Sequence, residues 1–333
     1  MLADLSAALL AVGLSAYVVL GGADFGVGIW DLTARDEGLR NRIKRSMSPV
    51  WEANHVWLIF VLVVLWTAFP EAFGSIASTL AIPLFLAAVG IILRGAAFAL
   101  RGEAASMAER RSLGAVFALS SLLVPFFLGT VVGGIASGRV PVGNAAGDEL
   151  TSWTNSTSIL VGLLAIATGA HSAAVFLGAD ARRGGEEELV RAFRARALGS
   201  GVVAGALALA GLVVVSSDAP DLRDGLTSGA ALACVIGSGV FGLLTLVLEW
   251  RSRFEPARYT VAAAVGAIVA AWALAQEPYI LPPELTVAEA AAPDATLAAL
   301  LGCSAVGMLI LLPALAWLYR LTLRGQLDKG SNA

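Results

Sequence analysis

Charge is scarce in this 333-residue chain: only 14% of its residues are Asp, Glu, Lys or Arg, against 58% hydrophobic ones. A soluble domain has about 25% charged and about 45–50% apolar residues. Mean hydropathy is +0.80. A water-soluble fold of this composition would lack the polar side chains to cover its surface, whereas a chain dissolved in lipid has no such requirement. The net charge of −3 says little by itself, because what matters in a membrane protein is where the charges sit, and no nucleic-acid partner is expected. Cysteine is equally sparse. Cys234 and Cys303 both lie inside apolar runs, which excludes a secreted disulfide framework and leaves them as small hydrophobes. With only two histidines and no CxxC, CxxCH, P-loop or HExxH pattern, no complete soluble active site is written here. The N-terminus has Asp4 as its sole early charge and lacks the basic start of a cleaved signal, so the first apolar run is expected to stay.

Long apolar runs are what the chain has instead. A helix crossing the hydrocarbon needs about 20 mostly apolar residues. Such runs occur near 5–30, 50–69, 75–100, 112–135, 156–179, 197–217, 226–249, 259–276 and 295–319. Inside lipid every backbone amide must be satisfied within its own segment, so each run is expected to be helical. The fold expected is an all-α integral membrane protein of about nine transmembrane helices, one polytopic domain over 1–333 with no linker or visible sequence repeat.

The loops test that count. With the N-terminus outside, the inner segments hold 19 of the 22 basic residues. They include Arg35 to Arg45, Arg101, Arg110, Arg111, Arg182 to Arg196, Arg251 to Arg258 and the tail from Arg320. The outer loops hold Arg139 and Arg223, and Arg94 lies within a span. This asymmetry is the positive-inside signal, and one missing helix would scramble it. It predicts an outer N-terminus and a cytoplasmic C-terminus. The last outer loop, from Glu277 to Asp294, is acidic and Pro-containing and reads as an ordered turn.

Ionisable residues within spans cost about 2.5–3.5 kcal/mol each on insertion scales and mark functional sites. Asp24 lies in the first run, Glu52 and His55 open the second, Arg94 is in the third and His171 in the fifth. Asp24 precedes Asp31 by seven residues and Arg94 precedes Arg101 by seven. At the helical rise both therefore lie ~10 Å from the inner loops, with His55 ~9 Å deep and Glu52 about half that. Four ionisable groups from three helices share one layer. They are expected to cluster, with Arg94 offsetting a carboxylate, because an unpaired charge is expensive there. The competing reading has Arg94 snorkelling to the interface and Asp24 capping a broken helix.

Gly22 and Gly26 flank Asp24 at the small-xxx-small spacing that lets helices approach closely. Trp51 and Trp57 flank Glu52, Asn54 and His55. The two indoles suit an interface belt, while the carboxylate, amide and imidazole between them suit proton transfer. Glu249, at an inner helix end, is expected to be solvated. His171 is expected to be a hydrogen-bonded interior residue, since the two histidines lie at different depths and make a poor haem pair.

Three ordered segments resemble the cytochrome bd quinol oxidase subunit II family. Gly22-Ala-Asp24-Phe-Gly26-Val-Gly28 is similar to the family's Gly-Phe-Asp-x-Gly-Val-Gly segment. Trp51-Glu52-Ala-Asn54-His-Val-Trp57-Leu58 is similar to its Trp-Asp/Glu-x-Asn-x-Val-Trp-Leu segment, and Arg94-xxx-Phe98-xx-Arg101 to its Arg-xxx-Phe-xx-Arg pattern. Gly21 stands where many members carry an acid, and Glu52 where many carry Asp.

The resemblance implies a bacterial or archaeal cell-membrane protein, multi-pass, paired with a homologously folded subunit I. That partner would carry haems b and d and the quinol site, and this chain would ligate no haem or metal. The complex would oxidise quinol and reduce dioxygen to water with cytoplasmic protons. Asp24, Glu52 and His55 would line the proton path. Gly22, Gly26, Gly28, Trp51, Asn54, Trp57, Arg94 and Arg101 would position it or form the subunit interface. Membrane lipid and a small accessory subunit complete the expected partners. The alternative is a secondary transporter with a buried acidic ion or substrate site. The lack of paired broken helices in two matching halves argues against it.

Overall fold

The computed structural model describes residues 1–33 and 51–323, with side chains throughout except at Trp51, Glu52, Ala53, Tyr319, Thr322 and Leu323. The expectations for Arg35 to Arg45 and for the tail residues Arg324 and Lys329 lie outside the described residues.

The chain is a bundle of long helices. α1 spans Leu2–Thr33, α2 Trp51–Ala68, α3 Pro70–Thr79, α4 Ala81–Leu100 and α5 Met107–Ala136. A single turn, α6 (Thr151–Thr154), leads into α7 (Ser156–Arg183) and α8 (Glu187–Asp218). There follow the short α9 (Pro220–Leu226), α10 (Gly229–Trp250) and α11 (Phe254–Gln276). A two-stranded antiparallel hairpin, β1 (Tyr279–Leu281) and β2 (Leu285–Thr286), precedes α12 (Asp294–Leu323). Among the described residues eight helices are long and apolar enough to cross a membrane. α2 and α3, joined at a 119° bend, make a ninth candidate.

One span differs from expectation. The run at 75–100 is not a single helix, because α3 ends at Thr79 and α4 begins at Ala81. α3 starts on Pro70, which fits the first turn of a helix but cannot continue α2. Its apolar side, with Ala72, Ile76 and the following Leu80, packs onto Leu281, Leu285 and Leu297 of the hairpin and α12. The segment thus lies across the end of the bundle instead of lengthening a span. The loop expected to be an ordered turn contains the hairpin. Arg139 and Asp218 pair at 2.7 Å at this same end, where Asp218 also accepts from the Thr157 amide and hydroxyl. The other end carries the arginine-rich loops. There Ser106 and Glu109 form a reciprocal capping box that starts α5.

α7 is the central element, packed against α1, α5, α8 and α11. Apolar attraction does not drive helices together in lipid, so close van der Waals approach must. Glycine makes that approach. A Cβ on Gly26 would overlap the Gly169 carbonyl of α7, and one on Gly129 of α5 would come within 2.7 Å of the Gly162 Cα. The backbones themselves touch at both seams, so no side chain can rotate out of the way.

Gly26→Ala is therefore expected to destabilise by roughly 1–3 kcal/mol or more, the range for overpacking. Gly205→Ala, where an added Cβ meets nothing within 4 Å, serves as the control. Thermal unfolding of the solubilised protein measures both, and equal midpoints would remove the close-contact account.

Candidate functional site

The site forms where α1, α2, α4 and α5 meet. Asp24 is buried on α1, and Asn54 of α2 donates from Nδ2 to its Oδ2 at 2.6 Å. Arg94 of α4 is only 1% exposed. Its Nη2 donates to the Asp24 backbone carbonyl at 2.8 Å, and its Nε donates to Ser121 Oγ of α5 at 3.0 Å. Ser121 passes its own hydroxyl hydrogen to the Phe117 carbonyl at 2.7 Å. The guanidinium lies over the Phe25 and Phe117 rings, 4.8 and 5.0 Å from their centroids. Arg94 therefore does not snorkel. A planar fork that bonds in two directions and stacks on two faces is a role that lysine cannot fill. Its charge also acts on the Asp24 carboxyl and the Tyr17 phenol. Gly28 makes this possible, because a Cβ there would overlap Ser121 Oγ.

A second rung repeats the contact seven residues on. Arg101 donates to Asp31 Oδ2 at 2.6 Å, with both side chains nearly buried. α1 and α4 thus run parallel in register, Asp24 beside Arg94 and Asp31 beside Arg101. Seven residues are close to two turns, so the rungs lie on one stripe ~10 Å apart. The Asp31–Arg101 rung is the one nearer the arginine-rich end.

His55 is half-buried, edge-on to Tyr17 and Phe25 at centroid distances of 6.4 and 5.8 Å. Trp57 is not a belt residue. It is buried against Phe60, because its position on α2 faces α1 and the bundle interior. A Cβ added at Gly22 would stand 4.0 Å from the Gly169 Cα, at ordinary contact distance. Trp51 and Glu52 begin α2, but their side chains lie outside the described residues.

This arrangement can be set beside known proteins. Residues 2–322 match the family model described as cytochrome bd terminal oxidase subunit II. The chain belongs to that family. It is 23% identical over 322 residues to the putative cytochrome bd menaquinol oxidase subunit II of Bacillus subtilis (strain 168), covering 92% of both chains. It is 31% identical over 129 residues to the cytochrome bd ubiquinol oxidase subunit 2 of the same organism, covering 38% of each. Its structure is similar to a chain of the bd oxidase from Geobacillus thermodenitrificans, with TM-score 0.82, 27% identity and coverage of 97% of this chain and 98% of that one.

The protein is a multi-pass membrane subunit of a terminal quinol oxidase, with an oxidoreductase role. Family membership implies haem in the complex and a partner subunit I. The two histidines of this chain lie in different surroundings. His55 packs edge-on between two aromatic rings. His171 of α7 has Nδ1 at 3.1 Å from the Ala197 carbonyl and Nε2 at 3.5 Å from Glu249.

Glu249 corrects the sequence reading. The solvated helix end expected there is a fully buried carboxyl at the foot of α10, because it lies against the middle of α7, beside His171, and not at that helix's end. Sequence reading also missed Tyr17, Asp31 and Ser121 as parts of the first site. Tyr17, Asp24 and Asp31 recur every seven residues, and that spacing is the signal that could have found them. Ser121 left no such trace, since its partner is 27 residues away on another helix.

Asn54→Leu removes an amide donor from a buried carboxyl and is expected to cost about 1–3 kcal/mol. Arg94→Lys keeps the charge but gives up the fork, and should cost about 1.5–3 kcal/mol for a lost charge-assisted bond. Melting midpoints of the solubilised complex check both, and full stability in the lysine variant would refute the fork's role.

Proposed function

We propose that this subunit lines a proton path from the arginine-rich end of the bundle towards a haem-bearing partner. The observation that carries the reading is the buried Asp24 carboxyl, held by Asn54 and beside Arg94, with the Asp31–Arg101 rung between it and that end. A carboxyl kept in place by one amide and facing a fixed cation can take and give a proton without a large side-chain movement. Glu52 and His55, at the same end of α2, would pass protons to it. Gly22, Gly26 and Gly28 set the helix spacing around it. Asn54, Trp57, Arg94 and Arg101 hold it, and Trp51 is assigned to the same group from its place in the sequence motif.

The arginine-rich end is assigned to the cytoplasm, with the N-terminus outside, supported by 19 of 22 basic residues falling on one side. The membrane is then the bacterial or archaeal cell membrane, and residues 1–333 act as one polytopic unit. Haems b and d and the quinol site are assigned to subunit I, and no haem to this chain. The relatives, named as subunits of a menaquinol and a ubiquinol oxidase, support quinol as the reductant of the complex. Lipid and a small accessory subunit would fill the remaining apolar faces.

Asp24→Asn and Glu52→Gln should each slow quinol-driven oxygen consumption roughly tenfold, the effect of about 1.4 kcal/mol on the barrier. Haem content and subunit stoichiometry of the purified complex should not change. Glu188→Gln, exposed at the same end, should turn over at the parental rate. Normal turnover in an assembled Asp24→Asn complex would remove Asp24 from the path.

A further inference from the structure

The bundle holds a second buried carboxyl that the Asp24 site does not use. Glu249 is 0% exposed, one residue before the end of α10. Neither of its oxygens has a formed hydrogen bond in the structure, and the close polar neighbour is His171 Nε2 at 3.5 Å from Oε1. The ring's other nitrogen fixes its chemistry. Nδ1 lies 3.1 Å from the Ala197 carbonyl, which can only accept, so Nδ1 carries a hydrogen. In the neutral ring Nε2 is then a lone pair pointing at a carboxyl. Two lone pairs facing each other in a dry interior repel, and one proton between them turns repulsion into a hydrogen bond.

Among the described residues no ion pair supplies Glu249 with a countercharge. On α8 the pair meets Ala197 and Gly201, where an added Cβ would stand 2.7 Å from both His171 Cε1 and Leu246 Cδ2. On α11 and α10 the next polar groups are Thr260 and Thr245, which bond each other at 2.7 Å. Arg196 of α8 lies over Trp30 and Phe193, and Arg258 of α11 lies over Phe176. Among the described residues no arginine or lysine forms an ion pair with Glu249. An isolated carboxylate in such a place is far costlier than a neutral acid.

We infer that His171 and Glu249 form a membrane-buried proton site, in which Glu249 is a neutral carboxylic acid that donates to Nε2 of a neutral His171. Closing the contact needs only ~0.5 Å of side-chain movement to reach ordinary hydrogen-bond length. The site lies back-to-back with Asp24. Gly169 of α7 packs on Gly22 and Gly26 of α1, and His171 is two residues further on, about 200° round the helix. The α1–α7 seam therefore separates two proton-binding groups at one depth, and this one owes nothing to the path proposed above. As a neutral pair it stores one proton without adding net charge to the bundle.

Infrared spectroscopy of the intact oxidase at neutral pH tests the inference. The parental complex should show a carboxylic-acid C=O band that disappears in Glu249→Gln. His171→Asn keeps an N–H where Nδ1 stands but deletes Nε2, so the same band should remain and move to higher wavenumber as its acceptor is lost. Glu249→Asp, shortened by one methylene, should move it the same way. Haem content and oxygen consumption, measured alongside, establish that each variant is assembled and keep the result separate from the Asp24 path. A parental-minus-Glu249→Gln difference containing only carboxylate bands would overturn the inference, as would a band that ignores His171→Asn.

Discussion

A guanidinium buried among four membrane helices is the constraint around which the first half of this molecule is arranged. Arg94 is almost wholly out of contact with solvent. The penalty for placing it there is reduced by hydrogen bonds to different helices, from Nη2 to a backbone carbonyl on α1 and from Nε to a hydroxyl on α5. Those bonds set the spacing and register of α1, α4 and α5 together. The second arginine, Arg101, repeats the register at Asp31. Rotating α4 by one residue would break both rungs at once.

That geometry depends on the absence of side chains elsewhere. Gly28 leaves the space that Ser121 occupies, and Gly90 on α4 leaves space for Val124 on α5, one turn from Arg94. Gly26 and Gly169 then bring α1 against α7 backbone to backbone. Small residues and polar bonds thus act as one device. Close approach makes short hydrogen bonds available, and the bonds hold helices that lipid would otherwise let drift apart. The outer faces obey the opposite rule. Leu209 and Val213 of α8 and Leu309 and Ile310 of α12 are exposed, which suits contact with lipid or a partner subunit but not with water.

The two acidic sites differ in how the protein treats a buried carboxyl. Asp24 is given an amide and a cation. Glu249 is given an imidazole and otherwise apolar surroundings. The first environment holds a carboxyl in place by polar partners from other helices; the second leaves it only an imidazole with which to share a proton. Their placement on opposite sides of the α1–α7 seam keeps the two chemistries from mixing.

Much of the architecture was legible in the sequence, because lipid imposes one rule on every span: apolar length and internal hydrogen bonding. The run lengths therefore located the helices, and the seven-residue spacing of Arg94 and Arg101 already encoded one stripe. Where a helix must turn aside, as α3 does, that rule is silent, since packing against the β1–β2 hairpin competes with continued crossing. The site was half legible. Asp24, Asn54 and Arg94 stood out as polar residues inside apolar runs, but Ser121 looked like an ordinary small residue. Glu249 looked like a helix end because nothing local reveals that it lies against the middle of α7. Sequence alone determined which groups the membrane would have to accommodate, for that cost belongs to each residue separately. Only the tertiary structure decided which of them meet, because partners 26 to 78 residues apart are chosen by helix register and backbone approach.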